Sequence, residues 1–474
     1  MSSTSALSSL LSSASSSSAI NISDILEAAT GASSAGINVS AAVSSAVTAA
    51  EAPETAWQSQ ITGLQSQTAA LTQLQTDATN LDNDVQSLNS LTGPLSATTV
   101  TSSNSSVITA TAASGSAMGN TVVEVNNLAS TASYISMAET STSSTLPAES
   151  MTVTNGSGAS STITTGSGVN TLSDLETAIN KAGLGVTASV INDASGSRLA
   201  ITSNTSGSAG NFTVSTTGTS FDFASAVTGE NASLQVNGIT VTSPSNTVTG
   251  AVPGLTLNLL SASPGTAVSL SVAPNTSQAS AAINQFVNDY NTAIGDVNAQ
   301  FADSGSGQGV LADDPAVRNL QSELLAALNY TAASPSGSTT TTVPSLSSLG
   351  ISVNADGTLS VDSTTLNNML QNNFSDVQNF FQGSALNGFA NTLDQQLTSF
   401  ISPADGAFTV DLQSIGTQTS GLQTDISNFQ TNVITPLQTQ LQSEFSQAEI
   451  LLQQLPNEMK QIDEELGENS TSGS

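Results

Sequence analysis

Few side chains in this sequence combine the type and the spacing that chemistry needs. Asn354, Asp356 and Asp362 are the best oxygen-rich set, of the kind a calcium loop would use. The glycine and closing glutamate of an EF-hand loop are not at their places, so Asp356-Gly357 reads as turn chemistry instead. Gly305, Gly307 and Gly309 sit in a flexible Gly-Ser-Gly-Gln-Gly run that lacks the lysine of a phosphate-binding loop. Thr177 and Lys181 do not have the Ser-x-x-Lys spacing of a serine–lysine pair. Two carboxylates can serve a glycosidase, but nothing singles out two of the 35 acidic residues. There is no Cys and no His, which removes thiolate nucleophiles, disulfides, and the commonest general base and transition-metal ligand. The expectation is a protein that is not an enzyme, with no catalytic, metal-binding or cofactor-binding residues.

Composition narrows the partners. Lys181, Arg198, Arg318 and Lys460 are the only basic residues against a net charge of -31. Nucleic acid and anionic membranes are recognised through clustered Lys and Arg, so neither is expected. No apolar run is long enough to span a bilayer. The N-terminus lacks a basic region followed by an apolar core, so no cleaved signal peptide is expected.

What remains is an architecture built to be long. Trp57, Ile61, Leu64, Leu71, Leu81 and Leu88 recur at helical spacing near one end of the chain. Leu422, Ile426, Phe429, Leu441, Phe445 and Leu452 do so near the other, between Gln, Ser, Asn and Thr. Such a stripe needs a partner. The two ends are therefore expected to pair as an antiparallel coiled-coil leg, with Leu71 set in outline opposite Leu441. Pro436 predicts a kink or a break into two helices, because proline removes a backbone donor.

Between the stripes the period changes to two. Val107–Thr111 and Thr121–Val125 read as strands, and Asn237-Gly238 is the turn of a hairpin. Thr171 with Asp174 predicts a capped helix whose buried face is Leu172, Leu175 and Ile179. The expected class is α+β. A disordered segment, 1–45, forms a terminal region with 463–474. A helical leg with a small β-hairpin comprises 46–95 and 276–462. A β-rich head comprises 97–134 and 229–275, with an α+β head, 135–228, inserted in it.

Several stretches carry a family likeness. Asn38-Val39-Ser40-Ala41-Ala42-Val43 through Ala50-Glu51-Ala52-Pro53 looks like a run before a first long helix. Phe286-Val287-Asn288-Asp289-Tyr290-Asn291 has the form FV-x-x-YN, and Leu349-Gly350-Ile351 precedes Asp356-Gly357-Thr358-Leu359-Ser360 and Asp362. Leu172 to Val190, with Ala178-Ile179-Asn180, resembles the IN repeat of flagellar head domains. In this order they resemble the flagellar hook-associated protein 2 family, the filament-capping (FliD) proteins. The chain departs from that pattern in its scarcity of Lys and Arg and in Pro436. The resemblance implies a structural cap at the distal tip of the bacterial flagellar filament, extracellular, which promotes flagellin folding and polymerisation and prevents loss of exported monomers. It implies a homo-oligomeric ring of five or six subunits, with flagellin, the type III export apparatus and an export chaperone as partners. A surface adhesin with a β-rich binding head, or another flagellar axial protein such as a junction protein, are the alternatives.

Overall fold

Two periodicities lay out the chain, and the computed structural model describes residues 39–302, 307–332, 343–383 and 387–469 of it. It begins with α1 (Val39–Ala50) and the 38-residue α2 (Ala52–Asn89). Fifteen strands and one short helix follow, then a helical region with a small hairpin, and finally two long helical segments. The described residues fall into two compact units. One is drawn from Met1–Leu81, Thr292–Leu325 and Gln395–Ser474, the other from Asp82–Asn291 and Ala326–Asp394.

In the second unit, alternation builds two β-rich cores. Strands β1 (Thr98–Ser102), β2 (Ile108–Ala112) and β3 (Gly119–Asn127) open the first. The chain then leaves through β4 (Thr131–Ser136), β5 (Ser150–Asn155), β6 (Ser160–Thr164), α3 (Leu172–Lys181), β7 (Val186–Asp193), β8 (Gly196–Ser206), β9 (Phe212–Thr216) and β10 (Phe223–Val227). It returns with β11 (Ala232–Val236), β12 (Ile239–Ser243), β13 (Thr247–Thr249), β14 (Leu255–Leu259) and β15 (Val268–Pro274). The first core lies between a five-stranded sheet, β1-β15-β3-β11-β12, and a three-stranded sheet, β13-β14-β2. The inserted core joins sheets β10-β4-β8-β7 and β6-β5-β9 to α3. The excursion thus starts at β4, a few residues before the position 135 expected from sequence.

Local chemistry explains the corners. Asn237 and Gly238 both have positive φ, 49° and 83°, which a two-residue turn between β11 and β12 requires. The Thr171 hydroxyl accepts the Asp174 N–H at 3.2 Å, and the Asp174 carboxylate accepts the Thr171 N–H at 3.1 Å. That reciprocal pair starts α3, which buries Leu172, Leu175 and Ile179.

Helices resume with α4 (Thr276–Phe301) and α5 (Pro315–Ala327). Asp314 caps α5 by accepting the Ala316 N–H at 2.8 Å, with Pro315 in the first turn. The hairpin β16 (Ile351–Val353) and β17 (Leu359–Val361) comes next. Two helices follow, α6 (Ser363–Asn372) and α7 (Phe374–Gln382), interrupted at Asn373. In the second unit Phe286 and Tyr290 of α4 meet Phe380 and Phe381 of α7 and Phe389 of α8 (Phe389–Ile401) in one aromatic cluster.

The chain ends with α9 (Ala407–Phe429), a π-helical turn over Gln430–Ile434, and α10 (Thr435–Asn469). Pro436 does not break the helix. The wider π turn lies directly before it, and the flanking Phe429 and Thr435 keep right-handed helical backbone angles. Residues 39–45, expected within a disordered segment, are helical: Ala42, Val43 and Ala46 of α1 are buried, and α1 packs on α10. α10 likewise continues through Asn469. The expectations for 1–38 and 470–474 lie outside the described residues.

Candidate assembly surface

The site that the sequence points to is a surface along helices. Within the first unit, α2 and α9 run antiparallel. The Trp57 ring meets Phe429 edge-on, with centroids 5.5 Å apart. Gln430 donates to Glu54, and Gln75 Nε2 donates to Thr409 Oγ1 at 3.3 Å. Each step forward on α2 is matched by a step back on α9. This register places Leu71 near the level of Ile415, not of Leu441. Leu441 belongs to α10, the helix on which α1 packs. The intended opposition of Leu71 and Leu441 therefore fails: the C-terminal stripe runs on past the start of α2 into α10, and α10 packs against α1 instead.

Burial along the leg is graded. Leu71, Leu74 and Leu81 are buried. Trp57, Ile61, Leu64, Leu422, Ile426, Phe429, Leu441 and Phe445 are only half-buried. The side chain of Leu452 lies outside the described residues. Leu88 is also buried, but in the second unit, where Gln382 Nε2 donates to its carbonyl at 3.2 Å. Two facing helices cover only one side of each stripe. Around the middle of the α2–α9 pair, Gly63 and Gly421 flank an open hollow of about 470 Å³, and a Cβ added at either would touch nothing within 4 Å. On α10, Ile450, Leu451, Met459 and Ile462 are exposed.

The short motifs have structural roles. Asn291, the last residue of the FV-x-x-YN stretch, donates its Nδ2 to the Leu359 carbonyl at 2.8 Å and accepts the Leu359 N–H on Oδ1 at 2.6 Å. The motif on α4 thus latches the hairpin that carries the Asp-Gly-Thr-Leu-Ser motif. Asn180, in the IN stretch, does the same to Ala188 at 3.0 and 2.8 Å. Asn246 does so to Ala129, and Asn211 to Gly229. Sequence reasoning missed these four amide latches. The signal for two of them was an asparagine closing a stretch that carries the family likeness; the other two had none.

The oxygen-rich set near 354–362 is consumed by turn and cap. The Asp356 carboxylate accepts the Thr358 hydroxyl at 2.6 Å and its N–H at 3.0 Å, which holds its pKa below the ordinary carboxylate value. Asp362 is lowered chiefly by the Thr365 hydroxyl and caps α6. Among the described residues, no three Asp, Glu, His or Cys side chains are grouped as for a metal ion, and no helix is long and apolar enough to cross a membrane.

Comparison with known proteins places this architecture. The C-terminal family model of flagellar hook-associated protein 2 matches residues 229–457, and the N-terminal model matches 35–132. The flagellin hook IN motif matches 150–205, inside the inserted core. The B-type flagellar hook-associated protein 2 of Pseudomonas aeruginosa PAO1 is 26% identical over 336 residues, covering 63% of this chain and 67% of that protein. The Escherichia coli K12 flagellar hook-associated protein 2 is 26% identical over 329 residues, covering 64% and 68%. The crystal structure of the D1–D2–D3 domains of the flagellar cap protein FliD from Escherichia coli superposes with a TM-score of 0.56 at 27% identity, covering 75% of this chain and 99% of that one. With both family models matching in order on either side of the inserted motif, the chain belongs to the flagellar hook-associated protein 2 family, the FliD flagellar cap proteins.

Proposed function

We propose that this protein sits as a homo-oligomeric ring of five or six subunits at the distal tip of a flagellar filament, where it promotes folding and addition of flagellin and keeps exported flagellin from escaping. One observation carries the reading beyond family membership. The leg offers helices whose apolar stripe is half-covered, with exposed Ile450, Leu451, Met459 and Ile462 beyond it. Neighbouring subunits and incoming flagellin are the chains that would complete this surface. Its scarcity of charge favours contacts that slide rather than lock, because an isolated exposed ion pair adds little but fixes geometry. Export through the type III apparatus, with a chaperone guarding the apolar stripes, fits a chain without cysteine.

The test is deletion of the gene in the source bacterium. Unpolymerised flagellin in the medium, with filaments absent or short and restored by the wild-type gene, is the expected result. Normal filaments with lost surface attachment would replace the cap by an adhesin. Filaments lost at the hook junction, with purified protein that does not form rings, would replace it by a junction protein.

A further inference from the structure

Four carboxyls in the second unit are arranged as two facing pairs. On α2, Asp82 meets Asp394 of α8, and Asp84 meets Asp289 of α4. Asp82 is only 6% exposed. Its Oδ1, and Oδ2 of Asp84, are buried and receive no N–H or hydroxyl donor. Gln86, one turn beyond Asp82, donates Nε2 to Asp82 Oδ2 at 2.7 Å and to Asp394 Oδ1 at 3.0 Å, bridging the first pair. Gln285 donates to Asp289 Oδ2 at 3.1 Å. The amides supply dipoles but no charge.

Two carboxylates in contact cannot both stay ionised without a counter-charge. This chain has none to give. Arg198 is bound to Asp193, and Arg318 to Asp313 and the Ala312 carbonyl. Lys181 ends α3 in the inserted core, and Lys460 is exposed on α10. The charged group that faces Asp82 is Asp394, and the one that faces Asp84 is Asp289; both are acids. A divalent cation needs several oxygen ligands around it, whereas Asp82 and Asp394 share one amide donor, Gln86, at 2.7 and 3.0 Å.

We propose that each pair is a proton-sharing clasp, in which one carboxyl keeps its proton and donates it to the other. The clasps tie α2 to α8 and to α4 in acid and neutral solution, and they release as the solution turns alkaline. Burial is the first cause, followed by the charge of Asp394 and its hydrogen bond; together they push the Asp82 acid up to about 7, against the opposing donor of Gln86. Burial, then the hydrogen bond and charge of Asp289, push Asp84 up to about 7 as well. In the unfolded chain both acids ionise near 3.8. Between these values the folded state holds protons that the unfolded state has lost. The stabilisation is therefore complete below about pH 4 and is lost as pH rises through about 7. In a protein without histidine, these pairs supply a titration near neutrality.

The experiment compares full-length wild type with Asp82→Asn/Asp84→Asn by thermal unfolding from pH 5 to 9. Wild type should lose roughly 3–8 °C of midpoint over that range. The variant should be flat and should exceed wild type at pH 9. Equal slopes in the two proteins would overturn the clasp, as would calcium restoring the wild-type midpoint at pH 9, which would mark a cation site. Should the variant not fold, infrared spectroscopy of wild type decides. A protonated-carboxyl band that persists at pH 6 and disappears by pH 9 is expected, and its absence at pH 6 would end the proposal.

Discussion

The second unit and the leg solve the problem of apolar surface in opposite ways. In the β-rich cores and the aromatic cluster, most apolar side chains find their cover within the chain, although Val122, Ile135, Ile191 and Ile239 on the strands stay exposed. Leu234, Leu257 and Leu270 are buried in one core, Val153, Leu199 and Ile201 in the other, and Phe286, Phe380 and Phe389 between helices. In the leg, the same kinds of residue stay half-covered from Trp57 to Leu64 and from Leu422 to Phe429. A sheet closed on a second sheet buries its whole inner face. Two paired helices bury only a seam, and the rest of each stripe waits for another helix. The difference teaches where function is to be sought: a closed core reports stability, and an unfinished one reports assembly.

The comparison breaks most visibly where cover is complete. Phe286→Ala removes a ring in edge-on contact with Phe381 and Phe389, 6.5 and 5.6 Å between centroids. The expected cost is about 3–5 kcal/mol of unfolding free energy, read by urea denaturation of the purified chain. A loss under about 1 kcal/mol would mean that the cluster is not closed. The amide latches come next. Asn291→Ala strands the N–H and carbonyl of Leu359, and about 1–3 kcal/mol should be lost. Hydrogen exchange at the Leu359 amide should rise, since the latch is what shields it. Smaller again is the cap of α3. Thr171→Ala should cost about 1 kcal/mol, and Thr171→Ser should recover most of it, because only the hydroxyl accepts the Asp174 N–H.

Much of the closed half was legible from the sequence, for a physical reason. Alternation over five residues leaves a strand one way to face a core, so β3, β11, β14 and β15 follow from their patterns. Asn237-Gly238 and Thr171 with Asp174 announce backbone geometry that few other residues satisfy. The open half was legible in kind but not in register. A stripe says that a helix needs cover without saying from which residue. Leu71 and Leu441 looked equivalent as partners, yet Trp57 on Phe429 sets a register that keeps them apart. Nor did Pro436 reveal its accommodation, because a π turn depends on how the preceding carbonyls are spent. The carboxyl pairs were invisible: Asp82 and Asp394 are 312 positions apart, and only packing brings them into contact.

The smallest effect on stability should be the most informative about assembly. Trp57→Ala removes an edge-on partner of Phe429 from a half-exposed seam. Such a ring pair is worth about 0.5–1.5 kcal/mol, and a double-mutant cycle with Phe429→Ala should return a coupling in that range. The free chain should therefore fold almost as well as wild type. If the half-covered stripe is the surface on which subunits meet, the same substitution removes an aromatic anchor from the interface, and each 1.4 kcal/mol lost there weakens association about tenfold. Sedimentation should show a shift toward smaller species at a concentration where wild type is oligomeric, with the unfolding curve nearly unchanged. The reverse pattern, a large loss of stability with intact oligomers, would show that Trp57 completes a core of its own, and the contrast between closed and open halves would not extend to the leg.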